Sequence, residues 1–149
     1  MALHSIEREV GALIRRVRRA IGDRARSVHP QLQPAAYLIL IFLDDEDDVR
    51  SSRLVENFGI DKGAISRHIT SLADLGLVER VPDPEDGRAT RIRLTDDAKT
   101  RLHAVSEHRW GQFGQRLADW SDEDLSGFAA TLQHYNESLD SQAEVSGGS

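Results

Sequence analysis

The sequence predicts a mainly α fold with one small β-hairpin, and three observations carry that prediction. Apolar residues recur at spacings of three and four over most of the chain, which is the pattern of amphipathic helices. Between Leu77 and Leu94 the pattern changes to an alternation of period two around a turn rich in Pro, Asp and Gly. The 149 residues, 39% hydrophobic and 30% charged, suffice for one domain with an added helical element. No apolar run approaches the ~20 residues of a membrane span and no signal-peptide pattern opens the chain, so a cytoplasmic location is expected. The absence of cysteine excludes disulfides, thiolate metal ligation and thiol redox chemistry within these residues.

Leu3, Ile6, Val10, Leu13, Val17 and Ala20, widened by Ile14 and Ile21, predict an amphipathic helix over about residues 3–27. Its nearly heptad seam calls for packing against another helix, and His29-Pro30 ends it. Pro34 suits the first turn of the next helix, whose "AAYLILIFL" is apolar all round and therefore buried. That helix stops in the acidic run Asp44-Asp45-Glu46-Asp47-Asp48. Ser51 is placed to cap a short helix carrying Leu54, Val55 and Phe58 inward and ending at Gly59. Asp61 is placed to cap a second, with Ile65, Ile69 and Leu72 on its apolar side and Gly76 at its end. Residues 77–81 and 90–94 read as the paired strands of the hairpin. Thr95 begins a long helix to about Trp120, and Ser121-Asp122-Glu123-Asp124 is close to a capping box that opens a last one. The final "SQAEVSGGS" has the composition of a disordered tail.

Helix, three-residue turn, helix and two-stranded hairpin, in that order, make the winged helix-turn-helix pattern. The turn is Phe58-Gly59-Ile60, with Phe58, Ile60 and Ile65 pinning the two helices. The second helix would then present Lys62, Gly63, Ser66, Arg67 and Thr70 outward, from the end that enters the major groove in such proteins. Lys62 suits a phosphate or a base, Ser66 can donate or accept, and the Arg67 fork matches guanine. Gly63 allows close approach of backbone to DNA. Ser51 and Ser52, opening the first helix, join this DNA-binding set. The net charge of −6 argues against nucleic acid only on average, because it is unevenly spread. Residues 1–30 carry seven Arg against three acids, whereas residues 94–149 carry four basic residues against ten acidic ones. That acidity supports a second reading, a winged-helix protein–protein interaction module without sequence-specific DNA binding.

"SRHITSLADLGLVERVPDPEDGRATRIRLTDDAKTRL", residues 66–102, resembles the multiple-antibiotic-resistance regulator (MarR) family: recognition helix, "GLVER" strand, Asp-Gly-Arg tip and "LT" entering a long helix. The resemblance implies a winged helix-turn-helix with N- and C-terminal dimerisation helices. Its divisions are 1–30, a dimerisation helix; 31–95, the DNA-binding domain; 96–140, further dimerisation helices; and 141–149, a disordered tail. It implies a ligand-responsive transcription regulator, most often a repressor, bound as a homodimer to a palindromic double-stranded DNA operator. Carried onto this sequence, it places Arg88 in the minor groove, aimed by an ion pair with Asp86 and turned by Gly87. Arg91 and Arg93, opposite Ile92 and Leu94, would add phosphate contacts. The family's small aromatic or phenolic ligands suggest an effector pocket near Tyr37, Phe42, His108, Arg109 and Trp110. His103 and Glu107, one turn apart beside His108, could share a metal face, but no local cluster completes a shell and no metal or other cofactor is expected. No Ser-His-Asp, phosphate-loop or paired-carboxylate signature is present, so no enzyme activity or catalytic residue is expected.

Overall fold

The computed structural model describes the backbone of residues 1–146 and the side chains of residues 1–140. The chain divides into two compact units, Met1–His108 and Arg109–Ser149, with the boundary inside one long helix. In the first unit, helix α1 (Ala2–Val28) enters the core only through its last turns, at Gly22, Ala25 and Val28. Leu3, Ile6, Leu13, Ile14 and Val17 of its apolar stripe remain exposed. The end of α1 is tied down by Arg101, which donates to the Val28 carbonyl at 3.0 Å and so satisfies a terminal acceptor with no intrahelical partner.

Helix α2 (Pro34–Glu46) starts on its proline and buries Ala36, Tyr37, Ile39, Leu40 and Leu43. Leu38 is exposed, so one side of this helix is less covered than its all-apolar sequence suggests. The helix stops within the acidic run: Asp44, Asp45 and Glu46 belong to it, and Asp47 breaks it with φ of 63°.

A two-residue strand, β1 (Val49–Arg50), follows, which the sequence reading leaves out. It pairs antiparallel with the second hairpin strand, Val49 opposite Ile92 and Arg50 opposite Arg91, so the wing is a three-stranded sheet of order β1-β3-β2. Helix α3 (Ser51–Phe58) begins at Ser51 itself. Its N-cap is Arg50 and no side chain caps it, which corrects the cap expected of Ser51.

Gly59 ends α3 at φ of 61°, a left-handed backbone that glycine adopts without penalty. Helix α4 (Lys62–Asp74) is capped as expected, the Asp61 carboxylate accepting from the Ala64 N–H at 2.8 Å. Ile60 is exposed and does not pin the joint. Ile65, almost wholly buried, and Phe58, packed edge-on against Phe42 at 5.8 Å, hold it instead.

Strands β2 (Val78–Pro82) and β3 (Thr90–Leu94) pair from Val78 opposite Leu94 to Pro82 opposite Thr90. Leu54, Ile65, Ile69 and Leu72 from the helices share one core with Leu77, Val78, Ile92 and Leu94. Thr95 joins this sheet to helix α5 (Asp96–Arg116). Its N–H donates to the Leu77 carbonyl, its hydroxyl donates to the Gly76 carbonyl at 2.7 Å, and the hydroxyl oxygen accepts from the Ala98 N–H.

In the second unit, Trp110 stands edge-on to Phe113, and Trp120 to Phe128, at 6.2 and 5.6 Å. Helix α6 (Asp122–Ser146) opens on a reciprocal box. The Ser121 hydroxyl oxygen accepts from the Asp124 N–H at 3.1 Å, and the Asp124 carboxylate accepts from the Ser121 N–H at 3.2 Å. Phe128, Leu132, Tyr135 and Leu139 along α6 are exposed. Of the expected tail, residues up to Ser146 continue α6, and residues 147–149 lie outside the described residues. Among the described residues no helix is long and apolar enough to cross a membrane.

Candidate nucleic-acid interface

Helix α4 presents Lys62, Gly63, Ser66, Arg67 and Thr70 to solvent, because Ile65, Ile69 and Leu72 commit the opposite side to the core. Gly63 has a local reason as well as an external one. A Cβ there would stand 3.0 Å from the Asp61 carboxylate that caps the helix and 3.4 Å from the Arg67 guanidinium. Thr70 is less free than its position suggests, since its hydroxyl accepts from the Arg80 guanidinium at 3.1 Å, tying α4 to β2. Ser51 and Ser52 open α3 beside Lys62, and with Arg50, Val55, Glu56, Ala89 and Thr90 they line a groove of about 620 Å³ between α3 and the base of the wing.

The wing loop is organised by Asp83, which is only 2% exposed. One of its carboxylate oxygens accepts from Arg50 Nε at 2.6 Å and from Arg91 Nε at 3.1 Å. The other accepts the backbone N–H groups of Glu85 and Asp86 at 2.8 and 3.3 Å. The hydrogen bond from Arg50, then those from the loop backbone, hold the Asp83 carboxyl well below the usual carboxylate range. The same bond raises Arg50 above its ordinary value. Arg91 reaches further, donating to the Asp48 carbonyl at 2.9 Å. Asp83 was not singled out from the sequence. The signal available was an acid locked between Pro82 and Pro84, with arginine eight residues on across the hairpin.

One detail at the wing differs from expectation, and two others refine it. Asp86 does not ion-pair with the Arg88 side chain; its carboxylate accepts the Arg88 backbone N–H at 3.1 Å, because a short side chain two residues back reaches that amide first. Gly87 lies in the turn as expected, but without positive φ, and nothing lies within 4 Å of where its Cβ would be. Arg91 and Arg93 are both engaged, Arg91 as above and Arg93 with Glu79 at 2.6 Å across the strand pair. Among the described residues from 50 to 93, the cations whose side chains have no partner are Lys62, Arg67 and Arg88. Arg50, Arg53, Arg80, Arg91 and Arg93 each have a partner. The three unpartnered cations occupy the start of α4 and the tip of the wing.

The residues suggested for an effector pocket fall in both units. Tyr37 is buried in the first, where Phe42 packs on Phe58 and lies under the Arg53 guanidinium at 5.7 Å. His108 is exposed at the end of that unit. In the second, the Arg109 guanidinium stands 5.7 Å from the Trp110 ring, which is 63% exposed. His103 Nε2 is 3.9 Å from Glu107 Oε1 on an exposed face, and no group of three or more metal-ligating side chains gathers among the described residues.

The MarR family model matches residues 31–89, from the start of the region before α2 to the wing tip. An uncharacterized HTH-type transcriptional regulator, YxaD of Bacillus subtilis, is 31% identical over 134 residues, covering 90% of this chain and 92% of YxaD. The crystal structure of a MarR family transcription regulator superposes with a TM-score of 0.82 at 17% identity, over 96% of this chain and 93% of the other. A cysteine-to-serine mutant of MarR from E. coli, in complex with operator DNA, matches with a TM-score of 0.62 at 20% identity, over 85% and 93%.

Proposed function

Because this chain belongs to the MarR family of transcriptional regulators, we propose that it binds a palindromic DNA operator as a homodimer and releases it in response to a small ligand. One observation carries the DNA assignment: Lys62, Arg67 and Arg88 are left without partners at the start of α4 and at the wing tip, whereas Arg50, Arg53, Arg91 and Arg93 pair with acids and Arg80 hydrogen-bonds to Thr70. Lys62, Ser66 and Arg67 meet the major groove, with Gly63 at the helix start and Thr70 one turn on, and Ser51 and Ser52 meet the backbone beside it. Arg88 enters the minor groove, where a narrow A·T-rich segment concentrates negative potential. Asp86 and Gly87 shape the tip that carries it. The operator complex of the E. coli relative supports the reading by analogy of fold.

The homodimer rests on the apolar stripes left uncovered in both units, Leu3 to Val17 on α1 and Trp110 to Leu139 across α5 and α6. Residues 1–30 and 96–140 then serve dimerisation and residues 31–95 serve DNA. A small aromatic or phenolic ligand, for which Tyr37, Phe42 and His108 are the candidate contacts in the first unit, acts by favouring a wing spacing that does not fit the operator. Salt dependence tests the DNA assignment. Affinity for duplex should fall by orders of magnitude between about 50 and 200 mM salt if several phosphates are contacted. Weak binding that ignores salt would instead favour a protein-interaction module, the reading that the acidic residues 94–149 support.

A further inference from the structure

Beyond the groups that would touch DNA, we propose that Asp83 is a positioning residue that couples the wing to the helix-turn-helix and sets the point from which Arg88 reaches the minor groove. The inference rests on the wing–groove reading above. Its basis is that one buried carboxylate gathers four donors from three separate pieces of chain. Arg50 precedes the first residue of α3, Arg91 lies within β3, and the N–H groups of Glu85 and Asp86 belong to the wing loop. The loop is further closed by the Asp83 N–H donating to the Ala89 carbonyl, and the Ala89 N–H to the Asp86 carbonyl, both at 3.0 Å.

Geometry makes this more than local packing. The loop between β2 and β3 is otherwise exposed from Pro84 through Arg88 and has no apolar residue buried in the core. Its placement relative to α3 and α4 therefore depends on polar ties, and Asp83 holds the ones that cross from the wing to α3. Asp86, by accepting the Arg88 N–H, extends the same chain of bonds to the backbone of the residue whose side chain matters. Charge is needed as well as shape. Two guanidinium groups share one oxygen, and a neutral acceptor would leave Arg50 without its ion-pair partner and Arg91 with Asp48 alone.

A double-mutant cycle read in operator binding tests the coupling. Four proteins are titrated against one duplex: wild type, D83N, R88A and D83N/R88A, each checked by circular dichroism to be folded at the assay temperature. Asparagine keeps an oxygen for the loop amides and removes the charge. The expected result is that D83N and R88A each weaken binding by roughly tenfold. The double variant should bind within about twofold of R88A alone, since an arginine that is absent cannot be misplaced. Losses that multiply would mean that Asp83 acts on general stability, and would overturn the proposal. So would wild-type affinity in D83N when R88A is weakened, and in that case the DNA reading stands. If R88A binds like wild type, or wild type binds no duplex, the wing–groove reading fails and the inference with it. Should D83N not fold, R50K takes its place in the cycle. Lysine keeps a cation beside the groove but lacks the Nε donor, and the same non-additivity is expected.

Discussion

Asp83 is ionised in the folded chain at pH values where a free carboxylate takes up a proton, and this fixes the sign of its pH dependence. Its folded pKa is depressed, so its contribution to stability is complete above the ordinary carboxylate range, near pH 4, and is lost as pH falls below it. Acid unfolding followed by circular dichroism should therefore be less steep in D83N below about pH 4. Equal steepness in the two proteins would count against an ionised Asp83. Asp47, the one non-glycine residue with positive φ among the described residues, carries a different kind of strain. Asp47→Gly should raise stability by roughly 1 kcal/mol in urea denaturation, whereas Gly87→Ala should change it by less than about 0.5 kcal/mol, because neither its φ nor its surroundings require glycine. Sequence alone does not separate these cases. A glycine in a polar loop looks the same whether or not its backbone is left-handed, and the partner of a loop acid is decided by strands paired far along the chain.

At the scale of elements, the helices and the hairpin were legible because burial imposes its period on the residues themselves. Asp61 and Ser121 were legible as caps from one position each, and both make the bonds expected of them. Replacing either with alanine should lower stability by about 1 kcal/mol, read as a shift in the urea midpoint with an unchanged slope. A null result at Asp61 would mean that Gly63 and Arg67 hold the start of α4 without it. Strand β1 was not legible, since Val49-Arg50 is too short to show any alternation and exists only because Ile92 and Arg91 pair with it. The outward faces of α4 and β3 were readable from periodicity, but which of their cations are spent on neighbours was not. Arg93 meets Glu79 only through the strand register, and Thr70 meets Arg80 only through the packing of α4 on β2.

For the whole molecule, the net charge of −6 describes an average of unlike parts, and the exposed apolar stripes say more about assembly. Glutamate in place of both Leu13 and Val17 should convert a dimer to monomers in sedimentation velocity while leaving the helical content of the first unit intact, because neither residue lies in its core. A dimer unaffected by that pair would place the interface elsewhere. Sequence-specific recognition by a two-fold assembly is tested most directly by selecting bound fragments from a random duplex pool with the wild-type chain. The expected result is an enriched inverted repeat whose half-site centres are about one helical turn, ~10 base pairs, apart. A pool that enriches no motif, or only an unrepeated one, would contradict it.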